Sequence, residues 1–360
     1  MSIKRHDWTK EEIIALYNKP LMDLLYEAAS VHRQSHNPNV VQVSTLLSIK
    51  TGGCPEDCGY CPQAARYHTN IEGNDLMPVQ QVKAQALRAK ASGSSRVCMG
   101  AAWRNVKDGP EFEQVLEMVR TINKLDMEVC CTLGMLTETQ AKRLAEAGLY
   151  AYNHNLDTSE DYYKEVISTR AFEDRLKTID NVRKTNVTVC SGGIIGMGES
   201  VADRAGMLVA LASLNPQPES VPINALVAVE GTPMENEKPI EIWEMIRMVA
   251  TTRIVMPETQ VRLSAGRTQM SREGQAMCFF AGANSIFAGD KLLTTPNPDV
   301  TEDMKMFETL GLIPQKPFAK MSQPETVEAG DSQFMPLGEK PKWTRPGHKI
   351  EKNLKASGKL

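Results

Sequence analysis

Segments with strand-like and helix-like patterns alternate along most of the chain, and this alternation restricts its fold more than any other feature. Stretches rich in β-branched residues predict strands at 40–50, 95–101, 127–134, 149–157, 187–196, 220–229, 259–266 and 285–290. Helical periodicity and helix start and stop signals predict helices between nearly all of these strands, at 78–91, 110–124, 137–148, 171–184, 200–214, 240–255 and 272–283. Strict alternation of this kind predicts a parallel sheet covered by helices.

The number and length of these units favour an α/β fold of the (β/α)8 TIM-barrel type. Eight units over about 250 residues are the usual size of such a closed barrel. A doubly wound open sheet is the alternative, but the glycine fingerprint that commonly follows its first strand is missing. We therefore expect a helical N-terminal extension over residues 1–38 and a barrel over residues 39–313.

The last part of the chain differs in composition from the rest. From about residue 314 it is rich in Pro, Lys, Gly, Ser and Glu and contains few apolar residues. Segments of this composition bury too little apolar surface to fold by themselves. We therefore predict a disordered tail over residues 314–360, whose lysines serve solubility.

The composition of the whole chain excludes several classes of protein. A hydrophobic content of 41% and a net charge of -3 are ordinary for a globular protein and show no bias towards nucleic acid. No run of about 18 apolar residues predicts a membrane span. The N-terminus lacks a signal core, and Asp7, Glu11 and Glu12 argue against a transit peptide. We expect a cytoplasmic protein without nucleic-acid or membrane partners, whose cysteines are free thiols or metal ligands.

Three cysteines lie close together in the segment TGGCPEDCGYCPQ, with the spacing C-x3-C-x2-C. A disulfide framework would need cysteines in pairs. A structural zinc site would need four ligands, and His68 does not lie at a usual zinc-ribbon spacing. A [4Fe–4S] cluster bound by Cys54, Cys58 and Cys61 would leave one iron free to bind another molecule. The spacing favours the cluster, and zinc remains the alternative.

Other unusual residues fall on the predicted strands. Asn153, Asn155 and Asp157 are spaced i, i+2, i+4, so they share one face of the fourth strand, which we expect to face the barrel interior. A lone strand cysteine is usually part of an apolar core, as we expect for Cys278. Cysteines from three other strands and an arginine from a fourth could nevertheless converge inside one barrel. Together they indicate a second metal site: Cys98, one of the adjacent pair Cys130 and Cys131, Cys190, and Arg262.

These residues carry a resemblance to a known family. The cysteine triplet with Tyr60 before its last member is the signature of the radical S-adenosylmethionine superfamily. Within it, the chain from Asp7 to Leu312 resembles the biotin synthase family. The segments that carry this resemblance are GGCPEDCGYCPQ, RVCMGAAWR, YNHNLDTS, VCSGGIIGMGE, ESVPINALV, VRLSAGR and AGANSIFAGDKLLTTPNP. Together they are far more specific than the triplet alone.

The resemblance implies two iron–sulfur clusters. In this family three thiolates hold a [4Fe–4S] cluster whose fourth iron binds S-adenosylmethionine, and its reductive cleavage gives a 5′-deoxyadenosyl radical. A [2Fe–2S] cluster deeper in the barrel donates the sulfur that converts dethiobiotin to biotin. Cys54, Cys58 and Cys61 match the first ligand set, and Cys98, Cys130, Cys190 and Arg262 match the second. Cys130 is preferred to Cys131 because the following TLG keeps the register of the motif.

The resemblance also implies contacts to small molecules and to partner proteins. Asn155 and Asp157 match residues that hold the ribose of the nucleoside, Arg175 matches one near the methionine carboxylate, and Asn224 matches one near the ureido ring of the substrate. The full set of matches is Tyr60, Asn155, Asp157 and Arg175 for the cofactor, and Asn155, Asn224, Thr294 and Thr295 for the substrate. The family further implies a homodimer and an external electron donor of the flavodoxin or ferredoxin type.

Two functions of other classes remain open on the sequence. A different radical enzyme on the same barrel, such as a maturase or a lyase, would keep the triplet but would not need the second set of three cysteines and an arginine. A non-catalytic scaffold would hold zinc on the triplet. Anaerobic reconstitution separates the scaffold from the enzymes, because a zinc protein stays colourless and a cluster protein turns brown.

Overall fold

The computed structural model of the protein describes residues 4–289 and 291–319. The helices are α1 (Lys10–Tyr17), α2 (Leu21–Ser35), α3 (Val79–Ala91), α4 (Pro110–Asn123), α5 (Glu138–Glu146), α6 (Tyr163–Val166), α7 (Phe172–Arg183), α8 (Val201–Ala212), α9 (Ile242–Val255), α10 (Arg272–Phe280) and α11 (Val300–Leu310). The strands are β1 (Val40–Lys50), β2 (Arg96–Ala101), β3 (Glu128–Thr132), β4 (Ala151–Asn153), β5 (Thr188–Cys190), β6 (Gly193–Ile195), β7 (Ser220–Ala225), β8 (Gln260–Leu263), β9 (Ser285–Phe287), β10 (Lys291–Leu292), β11 (Thr295–Pro296) and β12 (Ile313–Pro314).

The strands close into a parallel barrel. β1, β2, β3, β4, β5, β7, β8 and β9 pair in that order, and β9 pairs with β1 to close the ring. β6 also pairs with β7, so the short strands β5 and β6 together occupy one strand position in the barrel. The predicted (β/α)8 barrel is therefore confirmed. Because the strands are parallel, their carboxyl ends meet at one end of the barrel, which we call the mouth, and their amino ends meet at the other, which we call the base.

The helices form where apolar residues recur on one face and where the ends carry capping signals. In α4, Pro110 occupies the first turn, and the apolar stripe predicted from the sequence is buried. In α5, the Thr137 hydroxyl accepts from the backbone N–H of Gln140, and the Gln140 side chain accepts from the backbone N–H of Thr137. This reciprocal cap fixes the start of the helix and leaves its apolar face against the sheet.

The fourth and fifth predicted strands differ in detail from the structure. The fifth is divided into β5 and β6 at Ser191 and Gly192. A Cβ atom on Gly192 would lie 2.0 Å from the carbonyl oxygen of Pro222 on β7, so this close approach requires glycine. The fourth strand ends at Asn153, and Asp157 beyond it has a left-handed φ of 69°. The residues predicted to alternate along one long strand therefore lie on a strand and the loop after it.

Three elements near the C-terminus were not predicted: the antiparallel hairpin β10–β11, helix α11 and strand β12. Gly311, with φ 67°, ends α11. The chain then returns to the base of the barrel, where β12 pairs in parallel with the beginning of β1. Two-residue pairings of this kind leave no periodic pattern in a sequence.

The first residues of the predicted tail belong to the base of the barrel. Pro314 is part of β12, and Gln315 donates its backbone N–H to the carbonyl oxygen of Val41 at 2.8 Å. The Phe318 ring meets the Tyr150 ring edge-on, with 5.9 Å between centroids. The described fold thus extends to residue 319 and does not end at 313. Residues 320–360 lie outside the described residues, and the disorder predicted for them stays a prediction.

Buried apolar residues form two groups. The larger group fills the space between the barrel and its helices, and it includes Cys131 and Cys278. The smaller group comprises Cys98, Cys130, Ala151, Phe287 and Leu292. Cys130 and Cys131 are adjacent, so they point to opposite faces of β3. Cys130 is therefore on the interior side, and Cys278 is core, as predicted. Within the described ranges, no helix has the length and apolar character needed to cross a bilayer.

A buried arginine joins the N-terminal extension to the barrel. Helix α2 packs against α9, and Arg253 of α9 is completely buried there. Arg253 donates to the carbonyl oxygens of Pro257, Thr259 and Gly282 at 2.7–3.1 Å, and its Nη1 lies 2.9 Å from Nε2 of His36. Backbone dipoles thus satisfy this guanidinium in place of a carboxylate.

His32 lies on α2, one turn before His36, which follows the helix. His32 is buried, and neither nitrogen of its ring is hydrogen-bonded. Burial and the positive charge of Arg253 lower the pKa of His32 from 6.5 to about 2. The same two causes lower the pKa of His36 to about 3. Both rings are therefore neutral in the folded protein at any ordinary pH.

We expect His32→Leu to make the protein more resistant to acid. In the unfolded chain His32 takes up a proton below about pH 6.5, whereas in the folded protein its pKa is about 2. The unfolded state therefore binds more protons between these values, and the free energy of unfolding falls as the pH decreases from 6.5. At pH 5 one such group costs about 2 kcal/mol. Leucine cannot be protonated, so it removes this contribution.

Urea unfolding at pH 8 and pH 5 measures the effect. The difference in free energy of unfolding between variant and parent should be larger at pH 5 than at pH 8 by about 2 kcal/mol. Equal differences at the two pH values would show that His32 is not held neutral by its surroundings.

Candidate functional site

A cavity of about 320 Å³ opens at the mouth of the barrel, and we call it the mouth cavity. Its walls come from the carboxyl ends of the strands and the loops that follow them, which is where barrel enzymes carry their active sites. All the site residues predicted from the sequence line this cavity except two. Cys58 is buried in the triplet loop, and Cys190 lies deeper in the barrel.

The triplet lies on a loop that folds back on itself. The backbone N–H of Cys54 donates to the carbonyl oxygen of Gln63 at 3.0 Å, and the carbonyl oxygen of Cys54 accepts from the backbone N–H of Ala65 at 2.7 Å. The backbone N–H of Cys61 donates to the carbonyl oxygen of Cys58 at 2.9 Å. This folding brings Cys54 and Cys61 to the cavity wall. Cys58, which lies between them in the sequence, is buried.

Two acidic residues between the cysteines fix this loop. Asp57 accepts hydrogen bonds from the backbone N–H groups of residues 168–169 at 3.0 and 3.1 Å. Glu56 is buried and forms ion pairs with Arg104 at 3.1 Å and with Arg170 at 3.7 Å. The position of the thiols therefore depends on charged groups from two other loops.

The triplet thiols are shielded from water, which holds them protonated. Burial raises the pKa of Cys58 to about 11. Burial and the neighbouring Cys58 raise the pKa of Cys61 to about 12, and burial raises that of Cys54. Arg170 acts in the opposite direction on Cys54 and Cys58. Thiols in such surroundings ionise when a metal displaces the proton.

This donor set fits a cluster with one iron open to the cavity. It consists of two cysteines at the edge of the cavity and a third, Cys58, buried behind them, and no further thiol lies on the loop. In the part of the chain that the structure describes, no three His, Cys, Asp or Glu side chains are arranged to hold one metal ion. A cluster does not require such an arrangement, because each thiolate binds a different iron.

Asp157 is the centre of a polar group beside the triplet. Its carboxylate accepts from the Tyr60 hydroxyl at 2.8 Å and from the Arg175 guanidinium. Arg175 also donates to the carbonyl oxygen of Asn155 and to the hydroxyl of Tyr163, both at 2.8 Å. Burial raises the pKa of Tyr60 well above 10, so its hydroxyl remains a donor. The group offers charged and neutral partners for a ligand with hydroxyl and carboxylate groups.

Asn153 connects this polar group to the interior of the barrel. Its amide nitrogen lies 3.0 Å from Oδ1 of Asn155 and 3.3 Å from Sγ of Cys190. Thr132 donates its hydroxyl to the amide oxygen of Asn153 at 3.2 Å. Asn153, Asn155 and Asp157 all line the mouth cavity, as predicted, although only Asn153 lies on a strand and the other two reach the cavity from the loop after it.

Three cysteines and one arginine meet halfway down the barrel, and each is the third residue of its strand. Cys98 and Cys130 are paired across β2 and β3, and their thiols are hydrogen-bonded. Arg262 on β8 is 1% exposed, and its Nη1 lies 3.8 Å from Sγ of Cys190. The convergence that the sequence predicted for these four residues is present. We call them the interior site.

Hydroxyl and amide oxygens accept the hydrogen bonds of the Arg262 guanidinium. Its Nε donates to the Ser285 hydroxyl and its Nη2 to the Gln42 amide oxygen, both at 2.8 Å. Among the residues described, no carboxylate lies within ion-pair distance of Arg262, whereas Arg96 nearer the base pairs with Glu128 at 2.7 Å. A buried cation without an anion is costly. The interior site therefore fits an anionic group held by thiolates, such as a [2Fe–2S] cluster.

The two paired thiols differ in the direction in which their pKa is shifted. Burial acts to raise the pKa of Cys98, but the hydrogen bond with Cys130 and the charges of Arg262 and Arg96 lower it to about 7. The same hydrogen bond, together with burial, raises the pKa of Cys130. One thiolate is therefore accessible near neutral pH, which is the form that binds metals.

Asn224 lies at the outer part of the mouth cavity, at the end of β7. Its amide nitrogen donates to the carbonyl oxygen of Gly193 at 2.9 Å, and its amide oxygen accepts from the backbone N–H of Ala265 at 3.1 Å. These bonds fix the orientation of the amide, which still reaches the cavity wall.

Thr294 and Thr295 reach the same cavity from the hairpin β10–β11. The hairpin packs closely on β2, because a Cβ atom on Gly100 would lie 2.7 Å from Cδ2 of Leu293. The residues matched to cofactor and to substrate thus surround one shared space.

Four residues that hold the site were not predicted as part of it. Gln42 and Ser285 orient Arg262, and Glu56 and Arg170 hold the triplet loop. Gln42 interrupts an apolar run in VVQVS, which was the only signal in the sequence. Arg170 lines the mouth cavity, and its buried Nε makes no hydrogen bond but lies 3.7 Å from the Glu56 carboxylate. Its position depends on a contact between distant loops, which no local pattern shows.

Comparisons with known proteins agree on one family. The model for the Radical SAM superfamily matches residues 48–210, and the model for the Biotin and Thiamin Synthesis associated domain matches residues 222–313. Biotin synthase of Flavobacterium psychrophilum is 87% identical over 359 residues, which cover 100% of this chain and 99% of the relative. Biotin synthase of Cytophaga hutchinsonii is 61% identical over 321 residues, which cover 89% of this chain and 95% of the relative.

One solved structure is similar to this chain in fold but not in sequence. The crystal structure of methylornithine synthase superposes with a TM-score of 0.71 at 17% sequence identity, covering 86% of this chain and 94% of that one.

We expect Glu56→Gln to loosen the triplet loop. The substitution leaves the largely buried Arg170 and the half-buried Arg104 without their carboxylate, and breaking such a pair costs about 3 kcal/mol. Glu72→Gln is the matched control, because Glu72 is an exposed carboxylate on the same loop.

Denaturant unfolding and iron content after reconstitution measure the effect. Glu56→Gln should lower the free energy of unfolding by about 3 kcal/mol and reduce the bound iron, and Glu72→Gln should change neither. If the two variants behaved alike, the ion pairs of Glu56 would not be what holds the loop.

Proposed function

The chain belongs to the biotin synthase family, and from this premise we propose which of its residues carry the reaction of that family. The protein is a radical S-adenosylmethionine enzyme that inserts sulfur into dethiobiotin to form biotin, using a [4Fe–4S] and a [2Fe–2S] cluster. When bound, the first cluster supplies the electron that cleaves S-adenosylmethionine, and the second supplies the sulfur. The proposal concerns what this chain's own residues do.

Cys54, Cys58 and Cys61 hold the [4Fe–4S] cluster at the edge of the mouth cavity. Two of the three line the cavity, so a cluster held by these thiolates would be accessible to S-adenosylmethionine bound in that space. Glu56 and Asp57 keep the loop in place through the contacts described above. Their role is to fix the distance between the cluster and its ligand.

Asp157, Asn155, Tyr60 and Arg175 bind S-adenosylmethionine. Asp157 accepts hydrogen bonds from the ribose hydroxyls, Asn155 donates to them through its amide nitrogen, and Arg175 attracts the methionine carboxylate. Arg175 and Tyr60 are already oriented by bonds to Asp157, so little side-chain freedom is lost when the ligand binds. Such preorganisation holds the sulfonium in a single position relative to the cluster.

Cys98, Cys130, Cys190 and Arg262 hold the [2Fe–2S] cluster in the interior site. The first two line the mouth cavity from below, which sets the sulfur source within the same space as the substrate. Arg262 contributes a positive charge that Gln42 and Ser285 hold in position. Its first role is to neutralise an anionic cluster in a poorly hydrated barrel.

Dethiobiotin binds between the two sites. Asn155 and Asn224 hydrogen-bond the ureido ring, and Thr294 and Thr295 hydrogen-bond the carboxylate. The hairpin that carries both threonines packs on β2 and narrows the mouth. A closed barrel is needed because an alkyl radical attacks almost any C–H bond, so water and other molecules must be kept away.

The observation that carries this proposal is the set of neighbours of Arg262. Three neutral oxygen acceptors, the Cys190 thiol and the Phe287 ring contact a buried guanidinium, with no carboxylate among the residues described. A radical enzyme that used the triplet alone would have no need for this arrangement. An anionic iron–sulfur group gives the charge its missing partner.

The family also supports proposals about partners. The enzyme takes electrons from a flavodoxin-like or ferredoxin-like donor and forms a homodimer. None of the eight cysteines forms a disulfide, so all six proposed ligands are available to the clusters. The cytoplasm, which keeps thiols reduced, is the location that we propose.

Anaerobic incubation with dethiobiotin, S-adenosylmethionine and a reductant tests the function. Mass spectrometry should detect biotin that is absent when any one component is omitted. A reconstituted protein that cleaves S-adenosylmethionine but never yields biotin would contradict the assignment of the interior site.

Cys58→Ala and Cys98→Ala should separate the two clusters. Cys58→Ala removes one of only three thiolates on the first cluster, so it should abolish both the [4Fe–4S] signal and the formation of 5′-deoxyadenosine. Cys98→Ala should spare the first cluster, so 5′-deoxyadenosine should still form while biotin does not. Chromatography of both products measures this. If Cys98→Ala formed as much biotin as the parent protein, Cys98 would be part of the apolar core and not a cluster ligand.

Arg262→Ala should be milder than Cys190→Ala. Guanidinium carries donors and stays protonated, so it is a poor metal ligand and a good counter-charge. We expect Arg262→Ala to retain part of the [2Fe–2S] absorption and part of the biotin yield, and Cys190→Ala to lose far more of both. If Arg262→Ala lost the cluster as completely as Cys190→Ala, arginine would be an essential ligand.

A further inference from the structure

A second cavity, of about 60 Å³, lies at the base of the barrel below the interior site. We call it the base cavity. Residues at the beginnings of the strands line it, among them Gln42 of β1, Arg96 of β2 and Thr188 of β5. Gln315 and Ala319, which follow β12, line it from outside the barrel. Among the residues described, none lines both this cavity and the mouth cavity.

The interior site separates the two cavities. Cys98, Cys130 and Arg262 line the mouth cavity, whereas Cys190 lines the base cavity. The Cys190 sulfur accepts hydrogen bonds from the Asn153 amide and from the Arg262 guanidinium. One thiol of the interior site is therefore reached from below.

The base cavity contains polar atoms that lack partners. Ser220 and Gln260 line it and are 3% and 7% exposed. The Ser220 hydroxyl and the Gln260 amide oxygen have no hydrogen-bond partner in the protein. A donor and an acceptor that face the same buried space indicate a small polar occupant, of the size of water or hydrogen sulfide.

A short segment closes the base cavity from outside. We call residues 315–319 the base plug. Gln315 accepts from the amide nitrogen of Gln260 at 3.1 Å, and the backbone N–H of Phe318 donates to Glu128 at 2.8 Å. The Phe318 ring touches Tyr150 but is 49% exposed. Together with the backbone bond from Gln315 to Val41, these contacts hold the plug against the barrel, and Lys316 and Phe318 are exposed. Local opening of the plug is therefore far easier than opening of the barrel.

We propose that the base plug gates a second entrance, through which inorganic sulfide reaches Cys190. This inference rests on the proposed function, in which sulfur leaves the interior site with each product and must be replaced. While S-adenosylmethionine and dethiobiotin fill the mouth cavity, a path from the mouth to the interior site is obstructed. The base cavity reaches the same site from the opposite end, with a serine and a glutamine placed to hydrogen-bond a small sulfur species.

The test measures assembly of the interior cluster in the full-length protein that already holds its first cluster. Ferric ion and sodium sulfide, which together carry the charge of an oxidised [2Fe–2S] cluster, are added without a reductant, and the increase in visible absorption from the second cluster is followed. Each protein is measured with and without saturating S-adenosylmethionine and dethiobiotin. Gln315→Ala/Phe318→Ala opens the plug, Ala319→Leu fills the cavity from the plug side, and Lys316→Ala is the control on an exposed side chain of the same segment.

The double variant should assemble the cluster about tenfold faster than the parent, because it loses one hydrogen bond and one aromatic pair that hold the plug closed. Ala319→Leu should be slower, Lys316→Ala should match the parent, and the two ligands at the mouth should have little effect on the parent. Thermal unfolding of each variant should match the parent, since none of these side chains belongs to the large core.

Two results would overturn the inference in different ways. If ligands at the mouth stop assembly and the plug variants match the parent, sulfide enters through the mouth, and the proposed function stands. If no second cluster assembles in any of the proteins although the first is intact, the assignment of the interior site fails, and the second entrance fails with it.

Discussion

A buried positive charge without a carboxylate is the constraint on which the interior of this barrel depends. Arg262 is held halfway along the barrel by Gln42 and Ser285, and its other neighbours are the Ser44 hydroxyl, the Phe287 ring and the Cys190 thiol. Other buried arginines of the chain have carboxylate partners: Arg96 with Glu128, Arg175 with Asp157, Arg204 with Glu199 and Arg267 with Asp303. Arg253 lacks one as well, but backbone carbonyls surround it. Arg262 therefore needs an anion, and an iron–sulfur cluster on three thiolates supplies it.

The barrel arranges its chemistry in layers along its axis. The triplet and the residues around Asp157 lie at the mouth, the interior site lies halfway down, and the base cavity lies below it. Parallel strands make this possible, because equivalent positions on successive strands reach similar depths. Gly192 matters for the same reason: its missing side chain lets β7 approach, and its backbone N–H donates to Asn155. Asn153 then joins Asn155 of the upper layer to Cys190 of the interior site.

Much of this arrangement could be read from the sequence, because its signals are local or periodic. The strand and helix patterns predict the barrel, and strand alternation predicts the interior face of Asn153 and Asn155. The choice between Cys130 and Cys131 rested on a motif, and burial agrees with it, since only Cys130 lies on the interior side. The roles of the ligands came from the resemblance to a family and not from spacing.

The remainder depends on contacts between residues far apart in the sequence. Gln42 and Ser285 hold Arg262 although more than 200 positions separate Gln42 from it. The division of the fifth strand results from the approach of Gly192 to Pro222. The base plug follows a two-residue strand that pairs with the start of β1. None of these contacts produces a period or a spacing, so no reading of local pattern finds them.

Mössbauer spectroscopy of the 57Fe-reconstituted protein tests the central claim most directly, because it distinguishes cluster types that absorption spectra merge. Two separate sites predict the signals of a [4Fe–4S] and a [2Fe–2S] cluster, with iron in a ratio of about two to one. In Cys98→Ala the smaller component should disappear and the larger should remain. A single type of cluster in the parent protein, unchanged by that substitution, would contradict the account of an interior iron–sulfur site around Arg262.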